Sequence, residues 1–279
     1  MLMFALILAA YLSGAPEAVL PLHPYLAQQA TLDASVSGVP GTYLFDTGEG
    51  VTAISPAIAH RIGCSPWGRI TGFRMTGERL GNPHCDGLTF VASRVSLPVA
   101  SAITLDIMAL IGPGVPHIDG VIGLDAFAGR IITIVPRRCI VIESADSLRV
   151  RLASAKALPV RLVRDAEGVA LAVDAAVPTR AGTAWMELDS GNGGAFVIAN
   201  YLADLFGLAQ DISTPVQASF SLANGILVAG PTRTRDLIMD GNIGARFLND
   251  WNLTLDLAGG RAWLAPTLAR TSADPCWIH

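Results

Sequence analysis

The sequence predicts a mainly β fold of two related lobes with a few short helices. Three observations predict it. From residue 28 onward the chain is a succession of short aliphatic or β-branched runs cut by Gly and Pro, such as 86–99 and 130–142. Two segments, 43–63 and 184–207, share one pattern: an apolar strand, an acid, a hydroxyl, a glycine, a second short apolar run, a helix-like stretch and a glycine. A second pattern, Asp-Gly-x-Ile-Gly, occurs at 119–123 and again at 240–244. A repeat of this size implies two homologous lobes and not a solenoid, because its period lies far above 20–50 residues.

The first element is the N-terminus. Residues 1–18, MLMFALILAAYLSGAPEA, have an apolar centre followed by small residues, which reads as a secretory signal with cleavage after Ala15. There is no Lys or Arg before the apolar run, so an uncleaved membrane anchor is the alternative. Both routes export the chain, to the periplasm or beyond. No other segment reaches the roughly 18 apolar residues of a membrane span. The remainder reads as a well-buried, strand-rich globule: 279 residues, 51% hydrophobic, 15% charged.

The first lobe is assigned to 28–145 and the second to 158–267, with 268–279 as a tail. The boundary falls in the polar stretch 141–159. Within each lobe, 55–63 and 198–208 have helical spacing and end at Gly. Each copy closes on a β-ribbon, 129–142 in the first and 252–265 in the second. From Asp46 to Asp119 the spacing is 73 residues and from Asp189 to Asp240 it is 51, so the first copy carries about 22 more.

Asp46 and Asp189 are the candidate catalytic residues. Each ends an apolar strand and can be presented from a rigid base by a tight turn. Gly48 and Gly191 let the backbone turn closely behind the carboxylate, and Thr47 and Ser190 can hydrogen-bond the neighbouring turn. If a pseudo-twofold axis relates the lobes, both turns meet at it. Two adjacent carboxylates cannot both ionise cheaply and so share a proton. The ionised member can then activate water and the protonated one can polarise a carbonyl, which requires no cofactor or metal.

These residues, "LFDTG" at 44–48, "ELDSG" at 187–191, "GVIG" at 120–123 and "GNIG" at 241–244, resemble the pepsin/retropepsin clan, most closely the bacterial retropepsin-like aspartic proteases. The resemblance spans roughly 28–266. It implies two β-barrel-like lobes and an endopeptidase acting on an extended peptide in the cleft between them. It further implies that Gly120, Ile122, Gly123, Gly241, Ile243 and Gly244 support the catalytic turns from beneath. A β-hairpin flap is implied too, with 70–90 as its candidate. Two motifs in one chain imply a monomer with an internal pseudo-dimer. The sequence departs from the family after each triplet, where Glu49 and Asn192 replace small residues; an outward-pointing Glu49 is the expectation. No Tyr stands at the family's flap position, and Trp67 and Phe73 are read as packing residues.

The remaining residues read as structural. Cys64, Cys85, Cys139 and Cys276 allow two disulfides with three connectivities; Cys64–Cys85 would close a short loop and Cys139–Cys276 would tie down the tail, while four buried thiols are the alternative. The dispersed histidines make a zinc site improbable. Asp119 and Asp240 are expected to anchor turns, Asp125 to cap a short helix, His84 and His117 to lie on the surface or flap, and Trp251 and Trp263 to pack. Net charge is −4, and the 19 basic residues, of which only Lys156 is a lysine, form no stripe, so nucleic acid is not an expected partner. Two other functions compete with the peptidase. One is a non-catalytic binding module on the same fold, motivated by Glu49 and Asn192. The other is an actin-like ATPase using both Asp-x-Gly turns as phosphate loops, against which stand the export signal and the scarcity of helix.

Overall fold

The computed structural model describes residues 14–267 and Cys276. Among them, 21 strands fall into three sheets. The first lobe is an eight-stranded sheet in the order 23–25, 29–36, 39–45, 120–122, 53–54, 95–104, 79–92, 67–73. It curls on itself, since Ser35 and Val36 also pair with Val91 and Phe90. The second lobe is a seven-stranded sheet in the order 160–163, 172–179, 182–189, 241–244, 196–199, 227–235, 216–221.

The repeat read from the sequence is a repeat of topology. In the first lobe, strand Val39–Phe45 pairs in parallel with Gly120–Ile122, which pairs antiparallel with Ala53–Ile54. In the second, Gly182–Asp189 pairs in parallel with Gly241–Gly244, which pairs antiparallel with Phe196–Ala199. The glycine that opens each supporting strand is required by close approach: a Cβ on Gly120 would lie 2.1 Å from the Ala53 carbonyl oxygen, and one on Gly241 would lie 2.6 Å from that of Val197. Asp119 and Asp240 do the same job in both copies. Asp119 accepts from the Thr42 N–H at 2.9 Å and Asp240 from the Trp185 N–H at 2.7 Å, so each acid pins the strand that leads into an Asp-x-Gly turn to its neighbour.

The two β-ribbons do not stay within their lobes. Ile131–Val135 with Cys139–Ile142, and Trp251–Asp256 with Arg261–Pro266, join in one six-stranded sheet that also takes in Ala18–Pro21 and Lys156–Leu158. Its centre is the pairing of Thr133 with Thr254, whose buried hydroxyls bond at 2.8 Å. This sheet ties the lobes together beneath the cleft, and one contiguous apolar core runs through all three sheets. Within it Tyr43 meets Phe90, and Phe45 meets Phe127, edge to face at 5.3 and 5.9 Å.

Several expectations are corrected here. The folded chain begins before residue 28: Glu17 N–H donates to Ile142 O, and Ala18–Pro21 and His23–Tyr25 are strands. The leader's apolar run lies largely outside the described residues. The polar stretch at 141–159 is no bare linker but carries helix Ala145–Leu152, which Ser144 caps. The expected helix at 198–208 is a 3₁₀ turn, Asn200–Phe206, ended by left-handed Gly207, whereas Pro56–Arg61 is an α-helix capped by Ser55. Asp125 caps nothing: it lies inside the turn Leu124–Phe127 and takes both the Thr52 N–H and its hydroxyl, at 2.9 and 2.6 Å. Trp67 and Phe73 are exposed; His84 lies on the hairpin strand Arg79–Ala92, within the segment expected for it, and is buried against the Trp67 ring. Trp251 and Trp263 pack, the first on Phe247 and the second under Arg261.

Cys64 is bonded to Cys85, and Cys139 to Cys276. The first ties the end of the first-lobe helix to a flap strand. The second ties the tail to the interlobe sheet. Two disulfides point to an oxidising, extracytoplasmic setting. Among the described residues no helix is long and apolar enough to cross a membrane.

Candidate functional site

The two acid turns meet between the lobes. Strand Val39–Phe45 delivers Asp46 and strand Gly182–Asp189 delivers Asp189, each from a nearly solid apolar base. Both aspartates are at least nine-tenths buried. Four reciprocal bonds lock the turns across the lobe boundary. The Thr47 N–H donates to Ser190 Oγ and the Ser190 N–H to Thr47 Oγ1, each at 3.0 Å. Thr47 Oγ1 donates to Leu188 O at 2.5 Å, and Ser190 Oγ to Phe45 O at 3.3 Å. A hydroxyl residue is needed at both places because each must accept and donate at once.

The carboxyls are cradled by backbone N–H groups. Gly48 N–H donates to Asp46 Oδ1 at 2.8 Å. Gly191 N–H is shared between Asp46 Oδ1 at 3.0 Å and Asp189 Oδ1 at 2.8 Å, and Asn192 N–H adds a bond to Asp189 Oδ1 at 3.0 Å. The Asp46 and Asp189 carboxyls meet across this shared N–H, near enough for the Asp189 charge to bear on Asp46. Glycine is obligatory beside them. A Cβ on Gly191 would stand 2.0 Å from Asp46 Oδ2, and one on Gly48 would stand 2.5 Å from Asp189 Cγ. Burial, then the neighbouring charges of Asp189 and Glu49, holds the Asp46 carboxyl well above the usual range.

The glycine-ended strands Gly120–Ile122 and Gly241–Gly244 run directly beside the acid strands. Ile122 and Ile243 are fully buried. Gly123 N–H donates to Thr52 Oγ1, and Gly244 packs against the Asn192 carbonyl.

Glu49 corrects an expectation. It is only partly exposed, and its carboxyl lies near enough to the dyad to feel Asp189, together with Asp125 and Arg74. Burial first, then Asp189 and Asp125, pushes it to about 8. The consequence softens the concern that it would add charge beside the dyad: a neutral Glu49 adds none at acidic or neutral pH. Asn192, the other departure, is a knot of backbone and side-chain bonds. Its carbonyl accepts from Ala245 N–H, its Oδ1 from Gly194 N–H, and its amide donates to Ala195 O and Asn242 Oδ1.

Strands Trp67–Phe73 and Arg79–Ala92 form a long hairpin, within which the candidate flap 70–90 falls. Its tip turns tightly, with Gly77 at φ +84°, and touches the second lobe: Ile238 N–H donates to Met75 O at 2.9 Å. An open concavity of about 540 Å³ lies elsewhere, beside Asp33, Thr42 and Asp119, and no dyad residue lines it.

Two residues that matter at the site were not singled out from the sequence. Glu187 stands two positions before Asp189 on the same strand face, so strand periodicity could have found it. Asn242, fully buried, bonds both of them, and only the register of two strands 55 residues apart brings it there. Among the described residues no group of three or more His, Cys, Asp or Glu side chains is arranged to hold a metal.

No family model matches the chain, and no curated protein matches it. Solved structures do. Basic 7S globulin from soybean aligns at a TM-score of 0.56 and 13% identity, over 88% of this chain and 94% of that one. Conglutin gamma, a basic 7S globulin from lupine seeds, aligns at 0.55 and 10% identity, over 91% and 95%. Identities this low speak for the fold alone, and the fold is pepsin-like: mainly β, with few short helices. The likeness to bacterial retropepsin-like proteases is overturned, since the matches run nearly end to end along plant basic 7S globulins and no family model supports the narrower assignment. The reason is physical. Motifs of four or five residues encode the acid turn and its supporting strand, which every branch of the fold requires, so they cannot tell one branch from another.

Proposed function

We propose that Asp46 and Asp189 form a water-activating acid dyad that hydrolyses peptide bonds of an extended substrate lying between flap and cleft floor. The observation that supports it most is the pair of buried carboxyls sharing the Gly191 N–H and locked in place by reciprocal Thr47–Ser190 bonds. An ionised carboxylate accepts a proton from the attacking water. Its protonated partner donates a hydrogen bond to the scissile carbonyl, and a proton then passes to the leaving nitrogen. The dyad titrates as a unit. The chain acts as a monomer, exported by its N-terminal leader.

A second reading is a non-catalytic acid-protease-fold binding protein. The comparisons favour it, because both similar structures are named as globulins and not as peptidases. The crowding of Glu49 against the dyad supports it as well. One experiment separates the two. Wild type and the Asp46→Asn, Asp189→Asn double variant are incubated with a mixed peptide library from pH 3 to 8. Cleavage by wild type alone, blocked by a statine-type mimic, supports the peptidase. Equal absence of cleavage in both proteins leaves the binding protein.

A further inference from the structure

The two lobes repeat each other in topology, yet one difference lies against the dyad. Leu44 and Val121 stand opposite each other in the first lobe, and Glu187 and Asn242 occupy the equivalent places in the second. We propose that Asn242 is a positioning residue that makes the dyad asymmetric, holding Asp189 as the ionised member and leaving the shared proton on Asp46. This rests on the dyad read above, but not on its having a peptide substrate.

The bonds around Asn242 fix how its amide lies. Nδ2 donates to Asp189 Oδ2 at 2.7 Å and to Glu187 Oε2 at 3.0 Å. Oδ1 accepts from Asn192 Nδ2 at 2.7 Å, and that same nitrogen donates to Ala195 O at 3.1 Å. Turning the amide over would set its oxygen against two carboxyls and its nitrogen against another N–H, so only one orientation satisfies the site.

Counting donors then separates the two aspartates. Asp189 receives N–H bonds on both oxygens: Gly191 and Asn192 on Oδ1, Asn242 on Oδ2. Asp46 receives N–H bonds from Gly48 and Gly191 on Oδ1 only. Hydrogen bonds to the charged form favour it. The proton therefore sits on Asp46, whose Oδ2 takes none. In the first lobe Val121 stands where Asn242 would be needed and has nothing to donate.

The other charged groups do not reverse this preference. Glu49 feels Asp189, Asp125 and Arg74, and Glu187 feels Asp189, Asp174 and Glu49. Burial first, and then Asp189, raises the Glu187 carboxyl well above its usual range, so it meets Asn242 as a neutral acceptor in acid. In the reaction, water's oxygen bonds to the carbonyl carbon while its proton passes to Asp189, and the Asp46 O–H donates to the carbonyl oxygen. The carbonyl then re-forms and the C–N bond breaks as Asp189 passes that proton to nitrogen, which returns Asp189 to its ionised state.

The test follows carboxyl carbons by NMR in full-length protein labelled at aspartate, from pH 3 to 8, with Asp46→Asn and Asp189→Asn assigning the two signals. Cleavage profiles are recorded in parallel. In wild type the lower step is expected on Asp189 and the upper on Asp46. In Asn242→Leu the lower step moves up by about one pH unit, the scale of one hydrogen bond to a charged group. The acid limb of kcat moves with it while KM stays within about twofold. Asn192→Ala, which releases the Asn242 amide together with the bonds to Gly194 N–H and Ala195 O, gives a smaller shift of the same sign and serves if Asn242→Leu does not fold. First ionisation at Asp46, or titrations unmoved in the folded variants, overturns the proposal. Loss of the peptidase reading shows differently, as absent cleavage with the NMR asymmetry intact.

Discussion

Replacing Glu49 by Gln should make the protein more stable at pH 8 and leave it unchanged at pH 4. In the folded chain the Glu49 carboxyl is raised from its usual 4.5 to about 8, by burial and then by Asp189 and Asp125. A folded-state value above the unfolded one means that the folded protein holds more protons between those pH values. Stability is therefore full below about 4.5 and is lost as pH rises toward 8. At about 1.4 kcal/mol per unit, a gap of about 3.5 units corresponds to about 5 kcal/mol. Glu49 is partly exposed, and solvent screening reduces this to about 2–3 kcal/mol. For a chain of this size that is about 5–10 °C in Tm. Asp125, raised by burial to about 6, adds a slope of the same sign at lower pH. Thermal unfolding followed by circular dichroism from pH 4 to 8 measures the effect. Wild type should lose Tm across the upper half of the range, and Glu49→Gln should flatten that loss while keeping the side-chain shape. Exposed Glu17→Gln is the control. A wild-type Tm that climbs toward pH 8, or a variant with no advantage there, would refute an inward, buried Glu49.

Two further outcomes test the site's geometry. Gly191→Ala places a methyl group 2.0 Å from Asp46 Oδ2. The carboxyls must part, and cleavage should fall by about 10²-fold or more in a protein that still folds. Thr47→Val keeps the shape but strands the Ser190 N–H and the Leu188 carbonyl. It should cost about 2–4 kcal/mol, read as a fall of about 4–16 °C in Tm, and a Ser190→Ala double-mutant cycle should show coupling across the lobes.

Much of the fold was legible because its signals are local. Gly48, Gly191, Gly120 and Gly241 are glycines for reasons of close approach, and Asp119 and Asp240 each anchor one strand to the next. Such residues recur at fixed offsets, and comparing the two halves of the chain exposes them. The second helix was misread because apolar spacing does not separate a 3₁₀ turn from an α-helix in so short a stretch. Asp125 was misread because an acid after a glycine looks like a cap, and its partner Thr52 lies 73 residues away.

The sequence by itself determined that this is a β-rich chain with two acid turns of one design, since turn chemistry and strand periodicity are written in neighbouring residues. The tertiary structure alone decided the rest. It brought Asp46 to Asp189, turned Glu49 inward, wove both ribbons into one interlobe sheet and set Asn242 against a single aspartate. Each of these depends on groups far apart in the chain, whose distances and burial come into being only when the lobes close on each other.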